Sequence, residues 1–339
     1  MPKAELHVHL DGCLRLDTIV ELAGKQNVSL PVPPERLAER CVAPEACSDL
    51  LEVLSYFALP ISVMQTPDAL ERVTYELCED ACRENVRYLE IRFAPSLHRV
   101  RGMSLDEIIV AVVRGWDAGR RAFGLAGGII LCGLRNLAPE DTLAVARAGL
   151  PHLGNGVVGI DLAGDEANFP ILLHRDPLRW AKDAGYGMTA HAGEAAGAQS
   201  VRDAVEVIGV SRVGHGVRSY QDPSLVTTLR ERRITLEMCP TSNLQTRSVA
   251  NLAQHPLYRY YRDGVEVTVN TDNRTVSGTD MTRELLLCHE GMQLSVRELA
   301  DMTLMALRAG FADAAERQSL EHDFKAELAA LVLVQREWS

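Results

Sequence analysis

Residues 3–12 read KAELHVHLDG, an apolar, strand-like stretch in which two histidines stand two positions apart. Successive side chains of a strand point to opposite faces, so His7 and His9 project in the same direction. One strand end can therefore present two imidazole nitrogens to a single metal ion, with Asp11 following just beyond it. Because most isolated HxH pairs are solvated or core histidines, the rest of the chain decides whether this stretch opens a metal-binding fold.

Short β-branched or apolar runs alternate with amphipathic helical patterns along the chain. The predicted strands lie at about 4–10, 88–94, 127–134, 157–163, 186–192, 212–217, 234–239 and 265–271. The predicted helices lie at about 67–85, 104–123, 139–150, 170–184, 200–208, 222–232, 248–263, 278–290 and 295–309. Eight βαβ-type units favour an α/β protein with a closed (β/α)₈ barrel. The length also permits an open doubly wound sheet, although no GxGxxG follows the first strand.

The first connection, residues 11–87, is much longer than the others and contains a helical run at 48–63. This run is either extra helical structure packed on the barrel or a lid over its mouth, because βα connections open onto the face where barrels hold their sites. The sequence leaves both interpretations open. No linker or internal repeat interrupts the chain, so we expect residues 1–339 to form a single barrel domain.

Composition excludes several classes of partner. The chain has 339 residues and a net charge of −11, so its surface repels phosphate backbones and anionic lipids, and we expect neither nucleic acid nor membrane binding. The eight cysteines include no CxxC pair, which is typical of free thiols in a reducing compartment. No secretory segment precedes His7, so we expect a cytoplasmic protein. The oligomeric state cannot be inferred from the sequence.

Polar residues cluster where predicted strands end, which is where barrels concentrate catalytic groups. The fourth strand runs into GIDLAGDE at 159–166. His191 and Glu194 follow the fifth strand, His215 ends the sixth, and Asp272 and Asn273 follow the eighth. Any one of these residues alone is compatible with a structural role, but packing does not explain so many of them at one rim.

Three imidazoles and a carboxylate suit Zn²⁺, which takes nitrogen and oxygen ligands and can keep a water in an open position. A water bound to zinc has a pKa of roughly 7, so hydroxide is available at neutral pH. His215 is flanked by glycines, and Glu194 lies three residues after His191. Both are predicted to handle protons beside the metal rather than to bind it.

Taken together, these motifs resemble those of the adenosine deaminases, a family of the amidohydrolase superfamily. The matching segments run from Lys3 to about Glu284 and comprise KAELHVHLDG, SVMQTPDALERVTYEL, YLEIRFAP, VVGIDLAGDE, HAGE, VGHG, MCPTSNLQT and VTVNTDN. The resemblance implies a single zinc ion per chain and the hydrolytic deamination of adenosine and 2′-deoxyadenosine in purine salvage.

The resemblance also implies a role for each matching residue. Zinc would be bound by His7, His9, His191 and Asp272. Glu194 would protonate purine N1, and His215 would orient the attacking water and help to deprotonate it. The substrate would be contacted by His9, by Asp11 at the ribose 5′-hydroxyl, by the backbone amide of Gly164 at N3, and by Asn273 at N7.

Asn273 departs from the family pattern, because many members carry a second aspartate at this position. Purine N7 only accepts hydrogen bonds, so an aspartate must keep a proton to donate to it, whereas the Asn amide donates at any pH. The role of Asn273 is therefore open. The departure leaves room for a different 6-aminopurine, such as adenine or aminodeoxyfutalosine. We expect Asp11 to repel a 5′-phosphate and thus to disfavour AMP, and we expect free adenine to leave Asp11 unpaired.

Three other classes of protein compete with this interpretation. Binuclear lactonase- or dihydroorotase-like enzymes bridge two metals with a carboxylated lysine after the fourth strand, where this chain has Ala163, Gly164 and Asp165. The deaminases that act on cytidine or tRNA carry an HxE…PCxxC signature that is absent here. A non-enzymatic protein with a structural zinc would carry a closed, cysteine-rich site, whereas proton-transfer groups adjoin this one. Production of inosine from adenosine distinguishes the classes.

Overall fold

The first strand, β1 (Lys3–His9), is the apolar HxH stretch, and it is buried along almost its whole length. The computed structural model describes residues 1–45 and 47–337, and side chains up to residue 331. The strands that follow are β2 (Val86–Phe93), β3 (Ala126–Leu134), β4 (Val157–Ala163), β5 (Gly187–Met188), β6 (His191–Ala192), β7 (Arg212–His215), β8 (Thr235–Met238) and β9 (Val267–Val269). All of the described pairings between neighbouring strands are parallel.

Two sets of hydrogen bonds close these strands into a barrel. The short strands β5 and β6 are parts of one barrel strand, since the backbone between them bonds to both sides: Thr189 donates to Ile160 at 3.1 Å, and Ala190 accepts from Gly214 at 2.9 Å. At the other junction, Asp272 N donates to His7 O at 3.0 Å and His9 N donates to Asp272 O at 2.7 Å. The predicted eight-stranded barrel is thus confirmed, and the open sheet is excluded.

The helices surround the barrel, as the alternation predicts. Those of the first connection are α1 (Leu16–Gln26), α2 (Ala38–Cys41), α3 (Leu50–Ser55), α4 (Ala58–Val63) and α5 (Pro67–Arg83). The later helices are α6 (Leu105–Phe123), α7 (Pro139–Gly149), α8 (Arg175–Asp183), α9 (Ala198–Arg202), α10 (Pro223–Glu231), α11 (Pro240–Gln245), α12 (Leu257–Arg262), α13 (Met281–Met292), α14 (Val296–Ala309) and α15 (Ala314–Glu337). None of the described helices combines the length and apolar character needed to cross a bilayer.

Three predicted helices differ from the observed ones. The run at 48–63 forms two short helices, α3 and α4, separated by Tyr56 and Phe57. The run at 248–263 is helical chiefly in α12, because Pro256 at its start cannot donate a backbone hydrogen bond and so begins a helix rather than continuing one. The run at 200–208 begins as α9 and then widens into a π-helical turn at Asp203–Ile208.

The interior of the barrel is charged rather than uniformly aliphatic. Arg92 is fully buried and donates to Asp161 at 2.8 Å and to Glu237 at 2.7 Å. Arg212 reaches Glu90 at 2.6 Å and Glu237 at 2.7 Å from the other side. Buried charges are tolerated only when they are paired, because desolvation of a lone ion costs several kcal/mol. This network positions two of its carboxylates directly beneath the candidate site.

Candidate active site

Four side chains that can bind a metal converge at the carboxyl ends of β1, β6 and β9. His9 Nε2 lies 3.1 Å from His191 Nε2 and 3.4 Å from Asp272 Oδ1. His7 Nε2 lies 3.3 Å from the same Asp272 oxygen. The four donor atoms all lie within 4.8 Å of one another. The residues that the resemblance implies as ligands are therefore brought together by strands far apart in sequence.

Two buried carboxylates lie behind the imidazoles and determine which nitrogen carries the proton. His7 Nδ1 is 2.9 Å from Glu237 Oε2, and His191 Nδ1 is 2.9 Å from Asp161 Oδ2. Burial alone would raise the pKa of Glu237, but the Arg92 and Arg212 guanidiniums hold it well below its usual range. Because an ionised carboxylate only accepts hydrogen bonds, each histidine donates from Nδ1 and directs the lone pair of Nε2 toward the cluster.

This arrangement fits a cation. The Nε2 atoms of His7 and His191 and the Oδ1 atom of Asp272 are all electron-pair donors directed at the same space. His7 Nε2 is buried and has no hydrogen-bond partner among the described residues. Ser242 Oγ donates to Asp272 Oδ2 at 2.6 Å, which leaves Oδ1 facing the histidines. Without a cation these lone pairs would repel one another, so the donor set matches a bound metal ion.

Glycine is required on the neighbouring strand, where the ring of His7 packs closely against β7. A Cβ on Gly214 would lie 2.9 Å from His7 Cε1 and 3.2 Å from the Cα of His191. Such contacts are far shorter than carbon atoms normally make, so any other residue would displace the imidazole. The glycine before His215 in the VGHG motif thus accommodates His7.

Glu194 and His215 adjoin the cluster without belonging to the set of four. His215 Nε2 is 3.4 Å from Glu194 Oε2 and 4.0 Å from Asp272 Oδ2. Burial, followed by the neighbouring charge of Asp272, raises the pKa of Glu194 to about 8. His215 and Asp272 both adopt a φ of 62°, a left-handed conformation that costs energy in residues with a Cβ. Such strain concentrates at functional sites.

Glu166 holds the loop that carries Glu194. Its Oε1 accepts the backbone N–H of Gly193 at 2.6 Å, and its Oε2 accepts those of Glu194, Ala195 and Ala196 at 3.0, 2.7 and 3.0 Å. The Glu166 side chain is almost wholly buried. One carboxylate therefore satisfies four consecutive amides that would otherwise be left without protein partners.

We expect Glu166→Gln to lower both stability and kcat. The amide NH₂ group would face at least one backbone N–H, and an unsatisfied buried donor costs about 1–3 kcal/mol. Chemical denaturation should show a loss in this range, and kcat should fall by at least about tenfold as Glu194 shifts. The exposed Glu140→Gln variant is the control, with a change in stability within about 0.5 kcal/mol. Unchanged stability and kcat in Glu166→Gln would contradict this account.

All but one of the predicted site residues line a single cavity of about 340 Å³ at the mouth of the barrel. They are His9, Asp11, Gly164, His191, Glu194, His215, Asp272 and Asn273. The remaining residue, His7, lies behind them in the metal-type cluster. Gly164 has a φ of 98°, which favours glycine at this turn after β4.

The opposite wall of the cavity is apolar and is formed by the two short helices of the first connection. It includes Leu50, Leu51 and Leu54 of α3, Phe57 just before α4, and Ile61 in α4. These helices therefore cover the mouth of the barrel, which is the position required of a lid. The structure shows α3 and α4 as extra helices that line the cavity, and their action as a lid stays a prediction.

Asp11 has protein partners that the sequence did not reveal. Its Oδ1 accepts from His98 Nε2 at 2.7 Å, and its Oδ2 accepts the backbone N–H of Ala94 at 3.2 Å. The expectation that free adenine would leave Asp11 unpaired is therefore wrong. His98 is fully buried and lies just after β2, where no motif of charged residues marked it as part of the site.

The fold and the site together define a class, the (β/α)₈-barrel hydrolases of the amidohydrolase type. The sequence profile described as Adenosine deaminase matches residues 2–326. The chain belongs to the adenosine deaminase family.

Individual relatives agree with this assignment. The chain is 43% identical over 323 residues to an adenosine deaminase of Vibrio vulnificus, with coverage of 94% of this chain and 97% of that protein. The crystal structure of adenine deaminase from Arthrobacter aurescens is similar, with a TM-score of 0.90, 28% identity and coverage of 97% and 99% of the two chains. An amidohydrolase from Burkholderia ambifaria with bound Zn gives a TM-score of 0.90, 26% identity and coverage of 98% and 92%.

Proposed function

We propose that this protein catalyses the zinc-dependent hydrolytic deamination of adenosine and 2′-deoxyadenosine at C6, giving inosine or 2′-deoxyinosine and ammonia. The observation that carries the proposal is the convergence of His7, His9, His191 and Asp272 beside Glu194 in one cavity. The identity to adenosine deaminases over most of the chain supports the same reaction. The eight free cysteines are consistent with a reducing compartment, and we place the reaction in the cytoplasm.

The metal is proposed to be a single zinc ion. The three histidines and Asp272 would hold it, because imidazole nitrogen and carboxylate oxygen are ligands that zinc prefers. When bound, zinc would lower the pKa of a water to roughly 7 and so supply the nucleophile at neutral pH. The cavity lining contains no lysine among the described residues, which argues against a second, lysine-bridged metal.

Glu194 is proposed as the proton donor to purine N1. C6 of adenine is a poor electrophile until N1 gains a proton, so a protonated carboxyl group beside N1 makes attack possible. Glu194 Oε1 is buried and has no hydrogen-bond partner among the described residues, which leaves it available to a substrate. The proton can later pass toward the departing ammonia. The backbone amide of Gly164 is proposed to contact N3 from the turn after β4.

The ribose is proposed to bind between Asp11 and the apolar lid. Asp11 accepts one hydrogen bond from His98 and one from Ala94, so its remaining lone pairs can accept a 5′-hydroxyl. A 5′-phosphate would bring two anions together in a buried cavity, which disfavours AMP. Adenine is the second candidate substrate, because the Arthrobacter adenine deaminase shares this fold and 28% identity.

A panel of substrates tests this assignment. Adenosine, 2′-deoxyadenosine, adenine, AMP and aminodeoxyfutalosine should each be assayed for ammonia release by the zinc-loaded protein. We expect the highest kcat/KM for the two unsubstituted nucleosides and the lowest for AMP. A preference of more than tenfold for adenine or for aminodeoxyfutalosine would overturn the proposed substrate while leaving the proposed chemistry intact.

Asn273 is proposed to donate its amide to purine N7. Asn273 lines the cavity, and its Oδ1 lies beside Gly12 with no hydrogen-bond partner among the described residues, so the NH₂ branch is assigned to the substrate as part of the proposal. Replacing N7 by carbon would leave this buried donor unsatisfied, at a cost of about 1–3 kcal/mol. We therefore expect 7-deazaadenosine to lose roughly tenfold to a hundredfold in kcat/KM relative to adenosine.

Part of that loss is electronic, since removal of N7 also makes C6 less electrophilic. The comparison should therefore be repeated with Asn273→Ala. In this variant the ratio of kcat/KM for adenosine to kcat/KM for 7-deazaadenosine should be smaller than in the unmodified protein. An unchanged ratio would show that Asn273 does not contact N7. Zinc content serves as the control, because Asn273 adjoins the proposed ligand Asp272.

A further inference from the structure

A line of buried hydrogen bonds runs from the start of α12 to His215. The backbone N–H of Leu257 lies 3.3 Å from His255 Nδ1, and His255 Nε2 lies 3.2 Å from Asn243 Oδ1. Asn243 Nδ2 then lies 3.0 Å from His215 Nδ1. All three side chains are buried. Of these residues only His215 has a role implied by the family resemblance, which is to orient the attacking water and help to deprotonate it.

Two backbone groups determine the direction of every bond in this line. The N–H of Leu257 can only donate, so His255 Nδ1 accepts, and the neutral ring carries its proton on Nε2 and donates to Asn243 Oδ1. Independently, the N–H of Cys239 lies 3.4 Å from Asn243 Oδ1 and can only donate to it. Both backbone donors therefore require the oxygen of the Asn243 amide to face His255 and Cys239, and its NH₂ group to face His215. The amide orientation thus follows from the hydrogen-bond network.

The orientation of the Asn243 amide determines which ring nitrogen of His215 carries the proton. Since Asn243 donates to His215 Nδ1, that nitrogen must hold a lone pair, and the neutral ring must carry its proton on Nε2. A proton on Nδ1 would bring two donors face to face. His215 Nε2–H is directed at the space bordered by Glu194 Oε2 and Asp272 Oδ2, at 3.4 and 4.0 Å. That space adjoins the proposed metal ligands.

We propose that Asn243 is a positioning residue that holds His215 as the Nε2–H tautomer, so that His215 donates a hydrogen bond to the attacking oxygen and does not take its proton. The proposal rests on the proposed deaminase function, and it keeps the expectation that His215 orients the attacking water but replaces the expectation that His215 helps to deprotonate it. With Nε2 already protonated and Nδ1 occupied, the ring has no free lone pair for a proton from water. Glu194 must already carry its own proton for N1, so the proton of the attacking water passes to the Asp272 carboxylate, whose Oδ2 lies 4.0 Å from His215 Nε2.

Nuclear magnetic resonance tests the tautomer directly. Long-range ¹H–¹⁵N correlation spectra of the zinc-loaded protein with ¹⁵N-labelled histidine distinguish the two tautomers, and the His215 signals are assigned from their loss in His215→Gln. We expect a protonated Nε2 and an unprotonated Nδ1. A proton on Nδ1 would overturn the proposal. This result does not depend on which substrate the enzyme uses, so it stays separate from a failure of the proposed function.

The variant Asn243→Asp gives opposite results for the two roles of His215. A carboxylate still accepts from Cys239 and His255, but it requires His215 to donate from Nδ1, and kcat is compared at a pH at which the spectra of the variant show an unprotonated Nε2 rather than an imidazolium. If His215 orients the attacking oxygen by donation, kcat should fall by about 10²-fold, as when a donor to developing charge is removed, and KM should change little. If His215 takes the proton, the new Asp–His pair should preserve or raise kcat, and the proposal fails.

Two further variants control for folding and charge. Asn243→Ala removes the donor without supplying an acceptor, so its His215 signal should show a mixture of tautomers and its kcat should fall less than that of Asn243→Asp. Asn270→Asp adds a similar buried carboxylate at the same end of the barrel, where Asn270 accepts from Leu6 N at 2.9 Å, donates to Met238 O at 3.3 Å and Thr268 Oγ1 at 3.0 Å, and does not bond His215. Its His215 should keep the Nε2–H tautomer. An unaltered tautomer in Asn243→Ala would also refute the positioning role.

Discussion

Replacing Glu194 by Gln is expected to lower kcat for adenosine by roughly 10²–10⁴-fold, the range that a positioned proton-transfer group contributes. The amide is nearly isosteric with the acid but has no proton to give to purine N1. Glu194 adjoins the metal-type cluster without belonging to it. The variant should therefore keep its zinc, and metal analysis alongside steady-state kinetics separates the loss of an acid from the loss of a ligand.

Glu284→Gln is the matched control, because it makes the same change in another fully buried glutamate. Glu284 accepts hydrogen bonds from Thr241 N at 3.1 Å and Thr279 Oγ1 at 2.6 Å and is absent from the cavity lining. It should retain kcat close to that of the unmodified protein. If Glu194→Gln also retained kcat, Glu194 would not be the acid.

Removing the metal is expected to abolish deamination, and restoring zinc is expected to recover it. The zinc-loaded protein should contain one ion per chain, since the second group of possible ligands among the described residues, His215, Cys239 and Asp272, shares Asp272 with the set of four. His191→Ala removes one of these donors and leaves Asp161, its buried partner, without that hydrogen bond. This variant should lose most of its bound zinc and, with it, more than about 10³-fold in kcat/KM, because the activated water is lost.

His152→Ala is the control for the histidine substitution. His152 lies in a short turn after α7, and its nearest charged partner is Asp106 at 3.9 Å. It should keep both zinc and activity. Two metal ions per chain, or full activity of the metal-free protein, would contradict the proposed centre.

The barrel was predictable because its signals are local. Each strand is a short apolar run, and each helix shows an amphipathic repeat between two such runs. The second half of the predicted fifth strand carries His191, and its position was correct although the strand divides into β5 and β6. Four of the described helices were missed, namely α1, α2, α11 and α15, of which α11 follows directly from Cys239 and Pro240. Its six residues are too few for a hydrophobic period to show.

The groups at strand ends were predictable for a similar reason, because a polar residue directly after an apolar strand is conspicuous. The buried carboxylates that hydrogen-bond to these groups could not be predicted. Glu237 and Asp161 lie within strands and resemble ordinary charged residues until the fold places them under His7 and His191. Glu166 falls inside the VVGIDLAGDE motif, yet only the folded backbone shows the amides of residues 193–196 directed at it. Such contacts join residues that lie far apart in the sequence, and the local pattern of apolar and polar residues contains no information about them.

The central claim is that this metal centre deaminates adenosine, and one measurement addresses it most directly. Purified protein carrying one zinc ion per chain is incubated with adenosine, and inosine and ammonia are quantified with and without prior removal of the metal. We expect equal amounts of inosine and ammonia from the zinc-loaded protein and neither product from the metal-free protein. Absence of inosine from the zinc-loaded protein, or equal rates with and without the metal, would contradict it.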